Sequence, residues 1–542
     1  MNESVIEPRE QSPDTAGLLD ALADLLGPDG LLTDEASCRL HSADLLEAGG
    51  RCTAVVRPTD TDQLKQVVAL TSKAGLAIAP RGGGLTYVRG YTMAQDGFVA
   101  IDMRRMNRIL EIRERDMLVT VESGVTWKQL YEALKPLGLR LPFFGTFSGA
   151  GATVGGGLSN GALFLGTARY GSAAEIVLGM QVVLADGSLL HTGQTAVEKA
   201  PTPFFRTFGP DTTGLFVHDA GALGIKAVAT LRLIRMSAHT DYLSFGFPDR
   251  ASAVEALSEI GRSELAEDAY VMDPDKTRAA LAAPSDLARD AKMLAKVVGQ
   301  ERGLLRRLKA GAKLVVAGRD YGAQGCFSMH LVLAGRSRAA VEQDMAAARA
   351  VAARLGGEEL PDSIPRAGRA DIFAPLDSVV GATADRWVAL NAKVAHSDAP
   401  ALVDAIEALI DAHKTELDAH GIVVSRLLTV IGNHAFSYEP VFNWHDAWLP
   451  MHHATLSETA RAKLNEPAPA PEARALVMAM REKIVALFAQ QGAASNQIGR
   501  TYPYASILRP EARALLKAVK NAVDPQGRVN PGALGLAVRE DR

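Results

Sequence analysis

Residues 78–92, IAPRGGGLTYVRGYT, run an apolar segment into three consecutive glycines with an arginine before them and a threonine behind. Gly82, Gly83 and Gly84 allow positive φ and close backbone approach, so successive N–H groups can converge on one anion. Arg81 adds charge and Thr86 a hydroxyl. Hydrogen bonds to a charged acceptor contribute roughly 1.5–3 kcal/mol each, so a few of them can hold a pyrophosphate. Alone, such a triplet is more often only a turn.

A second glycine cluster spans 145–171, with Gly149, Gly151, Gly155, Gly156, Gly157, Gly161, Gly166 and Gly171 among Thr146, Ser148, Thr153, Ser159, Asn160 and Tyr170. Its GAGATV run puts Val154 where a Rossmann fingerprint needs its third glycine, and no acid at the right distance rescues it. A classical nicotinamide site is therefore rejected. A third cluster, 219–234, feeds Gly221 and Gly224 into Ile225 and an alternating apolar strand, and the C-terminus carries DPQGRVNPG with Asn530 in its turn.

These segments together resemble the FAD-binding (PCMH-type) fold of the vanillyl-alcohol oxidase and p-cresol methylhydroxylase superfamily, most closely its D-lactate dehydrogenase and glycolate oxidase branch. VVRPTDTDQLKQVV (55–68), PRGGGLT, residues 117–142, ATVGGGLSNGA, residues 170–193, GALGI and DPQGRVNPG carry the resemblance, over about 190 residues of the first half and the last 20 or so. It implies an α+β protein: a two-subdomain FAD-binding domain with an inserted α+β cap over the flavin. It further implies that Arg81, Gly82, Gly83, Gly84, Leu85, Thr86, Thr146, Ser148, Gly149, Thr153, Gly156, Ser159, Asn160, Tyr170, Gly171, Gly221, Gly224, Ile225 and Asn530 bind FAD. Several members link the flavin to a histidine at or near the position of Leu85, and no histidine lies between His41 and His191 here. Non-covalent FAD is expected.

The activity implied is hydride removal from a small alcohol, foremost a D-2-hydroxy acid. An aryl-alcohol or phenol oxidase is the alternative within enzymes, and a non-catalytic flavin scaffold the alternative outside them. The resemblance leaves the electron acceptor open among a cytochrome, a quinone, an electron-transfer flavoprotein and oxygen, and leaves homo-oligomerisation open too. A hydroxyl proton needs a base and a carboxylate needs a cation. His434, in the histidine-rich run 432–453, is the first candidate for the base. IGRTYPY (498–504) offers Arg500 as the anion-binding group and Tyr502 as a hydrogen-bond donor. Some hydroxy-acid members hold a divalent ion in corresponding stretches. Here Asn496 and Gln497 stand in one of them, and neutral amides are poor zinc ligands, so no metal is expected, with His434, His445 and His452 as the runner-up cluster.

With 542 residues, 47% apolar and 22% charged, the chain is long enough for two or three domains. A net charge of −4 gives no reason to expect nucleic acid as a partner. Three cysteines without a C-x-x-C spacing read as reduced thiols in a cytoplasmic setting, and neither a secretory leader nor an apolar run of membrane-spanning length is visible. The basic stretch 285–320 reads as a solvated helix face, with peripheral contact to an anionic membrane face as the rarer reading. Periodicity places helices at 16–28, 60–74, 126–136, 251–263, 285–316, 336–355, 399–420 and 471–491. Strands are expected at 54–58, 76–80, 98–102, 118–123, 178–185, 226–234, 243–247, 327–333 and 422–431. The organisation expected is a helical segment over 1–46, an FAD-binding domain over 47–237, a cap over 238–494 and a return to the FAD-binding domain over 495–542.

Overall fold

The computed structural model describes residues 15–200, 202–281, 325–373 and 375–536. The basic stretch 285–320 lies outside the described residues.

Among the described residues three larger sheets and one two-stranded sheet organise the chain. The first has the order Leu31–Leu32, Ala54–Val56, Phe98–Asp102, Ala77–Arg81. Helix Thr61–Lys73 makes the crossover between Ala54–Val56 and Ala77–Arg81, both of which pair in parallel with Phe98–Asp102. The helix starts where it does because the Asp60 carboxylate accepts the Gln63 N–H at 2.9 Å, a cap contributing about 1 kcal/mol. Its Leu64, Val67 and Val68 pack against Ile78, Val99 and Ile101, and strand Ala77–Arg81 then delivers Arg81 and the glycine triplet at its C-terminal end.

The second sheet is antiparallel, in the order Ile109–Arg113, Leu118–Glu122, Ile225–Arg232, Val177–Val183, Leu189–His191. The glycine clusters sit on the connections of these two sheets.

The third sheet starts with His239–Phe247, close to the expected boundary between residues 237 and 238. Its order is Glu358–Leu360, His239–Phe247, Phe327–Gly335, Asp268–Met272, Val423–Ile431, Ala435–Trp444, Arg386–Ala389, with Ala392–Val394 also on Ala435–Trp444. Helices Arg250–Arg262, Arg338–Arg354, Ala399–Ala412 and Pro471–Gln490 supply buried apolar residues to the core on this sheet. The expected 399–420 helix is two pieces, Ala399–Ala412 and Lys414–Ala419, broken at His413.

Strand Ala435–Trp444 falls in the histidine-rich run 432–453, beyond the last strand expected from sequence. Its alternation is clear in FSYEPVFNW, but Pro440 lacks an N–H and argues locally against a strand. The sheet tolerates it because the Pro440 carbonyl still accepts from Leu390 N–H at 3.0 Å.

The final segment returns to the first sheet. Ile78 N–H donates to the Arg528 carbonyl and Asn530 N–H to the Ile78 carbonyl, each at 2.8 Å. Lys520 ties this segment down by donating to the carbonyls of Ala222 and Val529 and to Asp524 Oδ2. A buried ion network ties the start of the third sheet's strand Asp268–Met272 to Arg140, on the two-stranded sheet of Leu139–Arg140 and Ile234–Arg235, and to Arg369 of helix Ser363–Ala370. Arg140 and Arg369 each reach Glu267 at 2.7 Å, and Arg369 also reaches Asp268 at 2.6 Å. Buried pairs of this kind cost several kcal/mol when one partner is removed, because a charge is stranded.

Candidate functional site: a glycine cradle under a polar sheet face

A cavity of about 770 Å³ lies between the glycine-rich connections of the first and second sheets and the face of the third. Its floor is built from the glycine segments. The loops 82–84 and 151–153 touch so closely that a Cβ on Gly82 would overlap Thr153 Oγ1 and one on Gly83 would overlap the Gly151 carbonyl. Gly84 has φ +76°, and a Cβ there would collide with the Arg81 guanidinium. Thr153 caps helix Val154–Asn160 by accepting Gly156 N–H at 3.2 Å, aiming a helix N-terminus at the same place.

Arg81 is 2% exposed, its Nη2 touches Met451 Sδ at 2.8 Å, and its Nε and Nη1 have no protein partner. A buried guanidinium with unpaired donors beside a glycine cradle fits an anionic diphosphate. Asn160 Oδ1 is likewise buried without a protein partner.

Arg81, Gly82, Gly83, Gly84, Leu85, Thr86, Thr146, Ser148, Thr153, Gly156, Ser159, Asn160, Gly221, Gly224 and Ile225 all line the cavity. Four expected cofactor residues do not. Gly149 is packed against Phe373, and Tyr170 and Gly171 end a short helix where Tyr170 lies under Arg140 and Gly171 against Glu175. Asn530 stands one layer back, donating to the carbonyls of Gly90 and Ala220 and so fixing two cradle segments together. Lys226 lines the cavity and is paired with buried Asp219 at 2.7 Å, which also accepts Gly221 N–H.

The roof is the third sheet. Ser425, Leu427 and Thr429 alternate along one strand, Glu439 and Asn443 face the cavity from the next, and Tyr270 and Met272 from a third. The register aligns them, with Leu427 opposite both Met272 and Glu439. Lys276, on helix Pro274–Leu281, faces the same space.

Burial pushes the Glu439 carboxyl up from its ordinary value, and Lys276 and Lys393 only partly oppose this. Burial pulls Lys276 down against the attraction of Glu439, Asp273 and Asp385. It pulls Lys393 down to about 7 against Glu439. Lys393 donates to Asn391 Oδ1 at 3.1 Å and to Asn496 Oδ1, and Asn496 Nδ2 in turn donates to the Gly161 carbonyl at 2.8 Å. Asn496 and Gln497 both line the cavity. Glu439, raised, and Lys276, lowered, both face the chamber, where such a pair can exchange a proton with a bound hydroxyl.

The expected catalytic residues lie elsewhere. His434 is exposed in the hairpin turn between Val423–Ile431 and Ala435–Trp444 and does not reach the cavity, which corrects its assignment as base. Arg500 spends its guanidinium on the carbonyls of Arg89 and Pro531 and on Asn530 Oδ1, so it pins the end of the glycine loop to the C-terminal turn instead of binding substrate. Tyr502 is 7% exposed, stacked on Phe488, with its hydroxyl accepting Asn391 N–H at 2.8 Å behind the cavity wall.

The histidine cluster does not assemble either. His445 faces the Thr383 carbonyl at 3.1 Å, and His452 is buried, receiving Leu449 N–H on Nδ1. Among the described residues no group of three or more histidines, cysteines and carboxylates is placed to hold a metal.

Comparisons with known proteins fall on these two halves differently. Residues 52–193 match the family model described as an FAD binding domain. A probable mitochondrial D-lactate dehydrogenase of Danio rerio is 32% identical over 246 residues, covering 45% of this chain and 48% of its own. A D-2-hydroxyglutarate dehydrogenase of Stutzerimonas stutzeri is 30% identical over 242 residues, with 44% and 50% covered. Glycolate oxidase subunit GlcD of Bacillus subtilis is 28% identical over 247 residues, with 45% and 51% covered. The chain thus spans about half the length of the curated relatives it matches.

Solved structures match nearly end to end. A p-cresol methylhydroxylase with substrate bound gives a TM-score of 0.71 at 20% identity, over 97% of this chain and 98% of that one. An alkyldihydroxyacetonephosphate synthase gives 0.66 at 17%, over 97% and 87%. The protein is a flavoprotein whose FAD-binding domain lies in a fold shared with p-cresol methylhydroxylase. FAD is its cofactor, with the glycine cradle and Arg81 as the groups that fit the diphosphate.

Proposed function

We propose that this chain oxidises the carbinol carbon of a D-2-hydroxy acid. The observation that carries the reading is that Glu439, from the third sheet, and Lys276, from helix Pro274–Leu281, both enter the cavity whose floor is the glycine cradle. Bound FAD supplies a hydride acceptor. Lys276 holds the substrate carboxylate, and Glu439, its pKa raised by burial, takes the hydroxyl proton in its ionised form. Lys393 sits behind Glu439 and stabilises it once ionised. The relatives named for D-lactate, D-2-hydroxyglutarate and glycolate support the substrate class. The aryl-alcohol or phenol oxidase alternative would draw on Tyr502 as a hydrogen-bond donor, and its hydroxyl accepts Asn391 N–H outside the cavity.

FAD is held without a covalent bond: Leu85 fills the position beside the triplet, and no histidine or cysteine is among the described residues lining the cavity. Acid precipitation should leave the yellow chromophore in the supernatant, and a yellow pellet would contradict this. Three free cysteines support a reducing, cytoplasmic setting. Among the described residues no helix is long and apolar enough to cross a membrane.

The test is anaerobic mixing of the purified protein with D- and L-2-hydroxy acids and para-hydroxybenzyl alcohols. A D-2-hydroxy acid should bleach the oxidised flavin, and bleaching by the benzylic alcohols alone would overturn the reading. Reoxidation by oxygen, a quinone, a cytochrome or an electron-transfer flavoprotein then identifies the acceptor.

A further inference from the structure

The end of the cavity away from Glu439 and Lys276 has a different chemistry. Helix Ser363–Ala370 turns Ile364, Ala367 and Gly368 inward, at the spacing of three and four residues that keeps one helix face. Across from them Leu163, Phe164 and Leu165 are three consecutive half-buried apolar side chains. Their loop is held open by fixed hydrogen bonds: Phe164 N–H to Thr167 Oγ1 at 2.9 Å, Gly166 N–H to Asp268 Oδ1 at 2.5 Å, and Gly432 N–H to the Thr167 carbonyl at 3.0 Å. The slot reaches the surface where Phe147, 43% exposed, meets Phe164 edge-on at 5.9 Å. On the facing helix, a Cβ on Gly368 would find nothing within 4 Å.

The register sets the length of this slot. Glu439 stands opposite Leu427, and Thr429 and Val430, the next cavity-lining residues of that strand, adjoin the apolar walls. At ~3.3 Å per residue the apolar lobe begins roughly 7–10 Å from the proton acceptor. A substrate of lactate size leaves these walls in water, whereas a chain lying along them removes both surfaces from it.

From these walls we infer that the substrate carries an unbranched apolar chain beyond its reacting carbon, laid between Leu163–Leu165 and the Ile364, Ala367, Gly368 stripe toward the opening at Phe147. The inference rests on the hydroxy-acid reading for its polar end and on the lobe alone for its tail. Each buried methylene strengthens binding about fourfold.

The test titrates the flavin-loaded protein with propionate, octanoate and 1-octanol, following the flavin spectrum. Octanoate should bind at least tenfold more tightly than propionate. Gly368→Phe, placed in open space and checked for flavin content, should narrow that ratio severalfold, and so should Ala367→Phe. Equal affinities for propionate and octanoate, or a ratio untouched in both variants, would overturn the inference while leaving the acid reading intact. A response to 1-octanol with none to either acid would support the apolar lobe and remove the acid reading instead.

Discussion

The floor and the roof of one cavity are encoded in opposite ways. The floor is local: Arg81 to Thr86 occupy six consecutive positions, and Thr153 to Asn160 another eight, so the residues that touch one another across the cradle already lie in compact runs. The roof is dispersed. Tyr270, Ser425, Glu439 and Asn443 come from three strands separated by long stretches of chain and are brought onto one face by strand pairing, with Lys276 added from helix Pro274–Leu281. Backbone chemistry needs glycine at particular places and so leaves a mark in sequence. Side-chain chemistry on a sheet needs only one residue per strand and leaves almost none.

If the floor acts through its backbone, Gly84→Val should give the largest effect. With φ at +76° and the Arg81 guanidinium in the way, the side chain cannot be placed, and the purified protein should be colourless with no recovery on adding FAD. An absorbance spectrum decides it.

If the roof acts through single side chains, Glu439→Gln should keep its flavin and lose about 10²–10⁴-fold in kcat/KM. The pH profile sharpens this. Because burial raises the Glu439 pKa above the ordinary carboxylate value, the base form grows as pH rises through it, so kcat/KM should climb with pH, and that limb should vanish in the variant.

Residues behind the roof should report on packing alone. Tyr502→Phe removes the acceptor of Asn391 N–H and should lower stability by about 1 kcal/mol in chemical denaturation, with turnover unchanged. His434→Ala, exposed in its hairpin turn, should shift stability by less than about 0.5 kcal/mol and turnover not at all.

The same contrast explains what could be read before the structure. Helix Thr61–Lys73, strand Ala77–Arg81 and most lining residues of the cradle were legible, because caps, periodicity and glycine runs are short-range signals. Tyr170, Gly171 and Gly149 belong to the same glycine-rich stretch but turn away from the cavity, and composition cannot tell which side of a loop faces inward. The base was sought among histidines because imidazole titrates near neutrality unaided, whereas a glutamate does so only when buried, and burial is a tertiary property. Glu439 did carry a faint signal, as the lone acid in the alternating strand FSYEPVFNW, but Pro440 beside it masked the strand. Arg500 and Tyr502 were placed near the right junction, yet their polar atoms are consumed by Asn530, Pro531 and Asn391, pairings no local pattern reveals.

The central claim is that the glycine cradle and the polar face of the third sheet share one chamber. It is tested most directly by titrating the flavin-loaded protein and its Lys276→Met variant with oxalate, an unreactive mimic of the substrate carboxylate, while recording the flavin spectrum. A saturable perturbation in the parent, lost in a variant that still holds its flavin, is the result this account predicts. The same perturbation in both proteins, or none in the parent, would contradict it.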